Sequence, residues 1–113
     1  MPRDYRVLLD DIAAACLRIE QYTKGLTFEQ FREDDMRMDA VVRNLEVIGE
    51  AAKKLPSESR AAMPEVPWQR IAGLRDVLIH AYFGIDAEII WDVVTTKIPD
   101  LLRVVTRELG REV

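Results

Sequence analysis

Cysteine and histidine are almost missing from this chain, with one of each in 113 residues. A single cysteine excludes an internal disulfide. Cys16 lies among Ile12, Ala13, Ala15 and Ile19 and reads as a small core residue. One His and one Cys are too few to suggest a zinc site, so no metal is expected. A glycine-rich phosphate loop is also missing, so no cofactor is expected. No apolar run approaches the roughly 20 residues that span a bilayer, so no membrane association is expected. The N-terminus is charged at Arg3, Asp4 and Arg6, which speaks against a secretory signal and for the cytoplasm. Positive charge is in short supply as well. The net charge is −4 and the isoelectric point about 5.0, which argues against broad, nonspecific nucleic-acid binding. A local basic cleft stays open, built from Arg70 and Arg75 with Lys53, Lys54 and Arg60 nearby in sequence.

What the chain does have is apolar periodicity. Nearly half of it (49%) is apolar, and its length predicts one domain, 1–113. Tyr5, Leu8, Leu9, Ile12, Cys16, Ile19 and Tyr22 predict a first helix from Arg3 to Lys24, stopped at Gly25. Thr27 and Gln30 are spaced as a capping box, which starts a short extra helical turn to about Arg32. Asp34 or Asp35 caps a second long helix ending near Leu55, with Met38, Val41, Val42, Leu45, Ile48, Ala52 and Leu55 on its stripe. Arg43, Glu46 and Glu50 share another face, as a solvated Arg–Glu pair or as a brace. Pro56 ends that helix, and Ser57 is expected to cap one short turn to Ala62. Asp86 caps the last helix, whose stripe is Ile90, Val94, Ile98, Leu101, Val105 and Leu109; Pro99 should kink it. Trp91 reads as core or dimer contact rather than a stacking platform. The sum is an all-α, antiparallel four-helix bundle.

The third long helix runs from Pro67, expected at its first position, to a stop at Gly84. Its stripe is Ile71, Leu74, Leu78 and Ala81. At about 100° per residue, Gln69, Gly73, Asp76 and His80 fall on the opposite side. Ala72, Val77 and Ile79 border that polar side too. A helix apolar over most of its circumference is normally buried on both sides. A chain this small has one core, so a second copy is expected over the other side. Gly73, which costs about 1 kcal/mol relative to Ala in a helix, would permit close backbone approach there. His80 has Asp76 four residues before it and shares the helix with Arg75 and Tyr82. It is either an interface histidine bonded to a carboxylate, or part of a small acid–base and phosphate-handling site.

Arg75-Asp76-Val77-Leu78-Ile79-His80-Ala81-Tyr82 matches an Arg-(four residues)-His-x-Tyr motif. Here the chain resembles the HepT-like toxins of the HEPN superfamily. Ile71-Ala72-Gly73-Leu74, Phe83-Gly84-Ile85-Asp86 and the stretch from Arg43 to Lys53 extend the likeness to nearly the whole chain, about Tyr5 to Leu109. The resemblance implies an HEPN-like fold and a ribonuclease site assembled from both motifs of a homodimer. It also implies that a MntA-type nucleotidyltransferase, acting as antitoxin, transfers AMP to Tyr82.

Metal-free RNA cleavage needs a proton acceptor, a proton donor and a cation. One chain offers one histidine, so a two-histidine mechanism requires two chains. In that scheme His80 transfers protons, Arg75 binds phosphate and stabilises charge, and Asp76 orients the pair. Two other readings compete: a non-enzymatic HEPN subunit that binds the nucleotidyltransferase and its nucleotide, and a plain dimeric helical scaffold. Tyr82 alternatively packs half-buried.

Overall fold

The structure, a computed structural model, describes residues 3–80 and 86–111; the side chains at 3, 4, 75, 77, 79, 80 and 111 lie outside that description. Among the described residues all regular structure is helical. Helix α1 spans Arg3–Thr23, α2 Phe28–Arg32, α3 Asp35–Lys54, α4 Ser57–Ala62, α5 Trp68–His80, α6 Ala87–Asp92 and α7 Ile98–Arg111. The expected bundle is therefore observed. α1 packs against α3 and α7, α3 also carries α5, and α2 lies against α3 and α6. The core is continuous from Tyr5, Leu9, Ile12 and Ile19 through Val41, Leu45 and Ile48 to Ile98, Leu101 and Val105.

Local chemistry sets the ends of these helices. Gly25 has φ +77°, the left-handed conformation that stops α1 without a Cβ penalty. The capping box forms as expected: Gln30 N donates to Thr27 Oγ1 and Thr27 N donates to Gln30 Oε1. Asp34, rather than Asp35, caps α3 by accepting from Arg37 N. Arg37 Nη1 donates to Tyr22 O at 2.7 Å, so one side chain ties the end of α1 to the start of α3. Arg60 donates from Nη2 to Ala52 O at 2.7 Å and to Lys53 O at 3.2 Å, satisfying carbonyls at the end of α3. Trp68 is buried, and its Nε1 donates to Met63 O at 3.0 Å, closing the link into α5.

Two expectations change, and a third is given its form. Ser57 does not cap α4; Pro56 takes the cap position and no side-chain cap bond forms. Pro67 precedes α5 instead of opening it, and its carbonyl accepts from Ile71 N at 3.0 Å, starting the helical ladder. The last long helix runs on past Pro99, as expected, and the disturbance takes the form of a π turn. Val93–Lys97 form a wide π turn between α6 and α7, with Ile98 N bonding Val93 O. Pro99 supplies the cause. It has no N–H, and in a regular helix its ring would collide with the carbonyl four residues before it, at Thr95. One extra residue in the preceding turn removes the clash. The hydroxyls of Thr95 and Thr96 occupy the loosened ladder by donating to Trp91 O and Asp92 O, at 2.8 and 2.6 Å. Gly84 and Ala81, expected at the end of the motif helix, lie outside the described residues.

Candidate functional site

The site is built on α5. Pro67 O starts its ladder, and buried Ile71 and Leu78 fasten it to α3. Seven residues, about two turns, separate these anchors, so they fall on one face and fix the rotation of the whole helix. Arg75 and His80 hold positions on that helix; their side chains are outside the described residues, and so is all of Tyr82. Asp76 is exposed, and among the described residues no cation lies within ion-pair distance of it.

Gln69, Gly73 and Asp76 follow one another on one side of α5, in the same angular register as His80. With Lys53 from the last turn of α3 and Ala72, they line a groove of about 230 Å³. A Cβ built on Gly73 meets nothing within 4 Å. The described residues thus give no steric reason for glycine at this point in the helix. Lys53 is exposed and makes no ion pair among the described residues, whereas its neighbour Lys54 lies 3.9 Å from Glu50. Sequence reading placed Lys53 only in a general basic neighbourhood. That Lys53 and Gln69 share one groove depends on how α3 crosses α5.

Arg43, Glu46 and Glu50 line a different groove, of about 370 Å³, between α1 and α3, together with Asp11 and Lys54. Arg43 makes no ion pair among the described residues, so the expected Arg–Glu pair is not what organises this face. A polar contact that sequence did not reveal lies nearby: Arg18 Nε donates to Asn44 Oδ1 at 2.7 Å, and buried Asn44 donates from Nδ2 to Ala40 O. Trp91 is half-buried, with its ring 5.1 Å from buried Phe31 and 6.2 Å from Phe28. It is packed within the chain, as one of the two expected roles requires. Cys16 is buried, and burial, helped by the nearby Glu20 carboxylate, pushes its thiol up to about 12. It is a core residue and carries no reactive thiolate. Among the described residues no helix is long and apolar enough to cross a membrane.

These elements define an all-helical domain whose third long helix carries the arginine–histidine motif in its sequence. A family model described as ribonuclease HepT-like matches residues 12–108. The chain belongs to the HepT-like ribonuclease family. It is 45% identical over 101 residues to the "Probable ribonuclease HepT" of Thermococcus cleftensis, covering 89% of this chain and 92% of that one. It is 48% identical to a "Putative RNase" of Methanocaldococcus jannaschii over 88% of this chain and 84% of the relative. It is 44% identical to another "Putative RNase", from Caldanaerobacter subterraneus, over 98% and 96% of the two chains. No solved structure matches.

Proposed function

We propose that this protein is a metal-independent endoribonuclease, the toxin of a prokaryotic toxin–antitoxin pair, acting in the cytoplasm as a homodimer with a composite site. The observation that carries this reading is the Arg75…His80 spacing on α5 in a chain of the HepT-like ribonuclease family. The chemistry follows from the residue types. The ribose 2′-OH attacks the adjacent phosphorus, and one His80 accepts its proton. The 5′-oxygen leaves, protonated by the His80 of the second copy, and a 2′,3′-cyclic phosphate remains. Arg75 binds the phosphate and stabilises the charge that builds up on it, and Asp76 orients the pair. Each chain contains one histidine, so a mechanism in which acid and base are both histidines requires two chains.

Tyr82 is the AMP acceptor in this reading, and a MntA-type nucleotidyltransferase is the partner that modifies it. Anionic groups added beside Arg75 would repel and block an RNA phosphate. Incubation with that partner and ATP should add AMP mass to the wild type and none to Tyr82→Phe. Light scattering at micromolar concentration should give twice the chain mass.

The acidic balance of the chain favours a second reading, a non-enzymatic subunit that binds the nucleotidyltransferase. The deciding experiment is RNA cleavage in excess EDTA by the wild type and by His80→Ala. Cleavage lost only in the variant supports the ribonuclease. Equal inactivity, with dimer and partner binding intact, supports the binding subunit.

A further inference from the structure

We propose that the groove over Gly73, between the end of α3 and the middle of α5, holds the RNA strand beside the scissile phosphodiester, with Lys53 binding a backbone phosphate. This rests on the ribonuclease reading and adds a substrate subsite to it. Three observations lead to it.

The first is position. Gln69, Gly73 and Asp76 share the angular register of His80, so the groove runs along α5 toward the motif. From Gln69 to His80 is eleven residues, about 16 Å of helix. That distance separates the groove's far end from the proposed cleft between protomers. A strand cleaved at His80 therefore has to continue along some path, and this groove is one.

The second is the chemistry of the walls. Lys53 presents an ammonium group with no carboxylate within ion-pair distance among the described residues. Such a group suits a phosphate oxygen. Gln69 offers both a donor and an acceptor to a base edge or a ribose hydroxyl. Asp76, at the motif end, repels a phosphate, so the phosphate is held at the Lys53 end. Its carboxylate can accept from a ribose hydroxyl, which DNA lacks at the 2′ position.

The third is the floor. Glycine here costs about 1 kcal/mol of helix stability relative to alanine, and among the described residues nothing beyond its own helical turn lies within 4 Å of where a Cβ would sit. The open volume belongs to something outside the chain. A partner helix laid into it would bury Lys53, Gln69 and Asp76 away from water, at a cost in desolvation. An RNA strand also displaces water there, but it brings a phosphate charge to the Lys53 ammonium.

The test uses the full-length protein in EDTA. Anisotropy of a labelled single-stranded 12-mer is measured between 50 and 200 mM salt on a His80→Ala background, and cleavage of the 12-mer and of a dinucleotide is measured on the wild-type background. Lys53→Ala should weaken 12-mer binding about fivefold. It should also lower the slope of log affinity against log salt by about 0.7. The 12-mer KM should rise with kcat kept, and dinucleotide cleavage should be unchanged. Lys53→Arg should restore affinity. Gly73→Ala, which fills the floor, should weaken 12-mer binding without lowering Tm. An affinity and salt slope unchanged in Lys53→Ala overturn the subsite. If cleavage still depends on His80 in that case, the ribonuclease reading survives its loss. If no RNA is cleaved but binding depends on Lys53, the ribonuclease reading falls and the groove stands as an RNA site. If no RNA is bound at all, both fall.

Discussion

Helices α5 and α7 are of similar length, and they answer to different demands. α7 buries Ile98, Leu101, Val104 and Val105 and exposes Pro99, Asp100, Arg103 and Thr106. Each apolar residue on its stripe has a counterpart inside the chain, so packing accounts for the sequence. α5 buries Ile71 and Leu78, leaves Ala72, Gly73 and Leu74 half-buried, and sets Asp76 in the open. Packing accounts for Ile71 and Leu78, for Trp68 at the helix start and for Ala72 and Leu74 at the edge of the core, and not for Gly73 and Asp76. Residues that the fold does not explain are the ones to examine for function.

The predictions probe that contrast. The largest effect should come from His80→Ala, which removes the proposed proton-transfer group and should lower cleavage at least 100-fold with little change in Tm. A comparable loss of Tm would place His80 among the packing residues. On the other helix, Ile98→Ala should cost about 3 kcal/mol in urea denaturation, because a fully buried side chain leaves a cavity. Cleavage per folded molecule should be kept.

Gly73→Ala cuts across the two classes. Among the described residues nothing opposes the new methyl group, so thermal stability should rise by up to about 1 kcal/mol while RNA cleavage falls. A gain in stability with activity unchanged would remove α5 from its special standing at that position. Cys16 should resist a thiol reagent at pH 8 in the native protein and react in urea, since its thiol titrates near 12 when folded.

The smallest effect concerns Glu65. Its own backbone N–H, and then Arg107 at 2.5 Å, hold its carboxyl below the usual value. A folded value below the unfolded one contributes stability above the ordinary glutamate range. That contribution fades as pH falls through the depressed value. Arg107→Ala should return the carboxyl part of the way toward its ordinary value by NMR titration, with little effect on stability at neutral pH because the pair is partly open to solvent.

Much of this architecture is legible in the chain. Gly25, the Thr27–Gln30 box and Asp34 mark helix ends through local bonds that need no tertiary context. The π turn was half legible. Ile90, Val94 and Ile98 recur in steps of four, and in a regular helix each such step drifts about 40° off the stripe. Such steps suit an ordinary α-helical stripe as well, so Pro99 alone marked a disturbance and its form came from the structure. Pro67 was misplaced by one position because helix boundaries depend on which carbonyl starts the ladder.

The sequence by itself determined the helices, their buried faces and the motif spacing, because these depend on neighbours within a few turns. The Lys53–Gln69 groove, the Arg18–Asn44 contact and the capping of α3 by Arg60 were decided only by tertiary structure. Each joins residues on different elements, and the angle at which two helices cross is set by the packing of both surfaces at once.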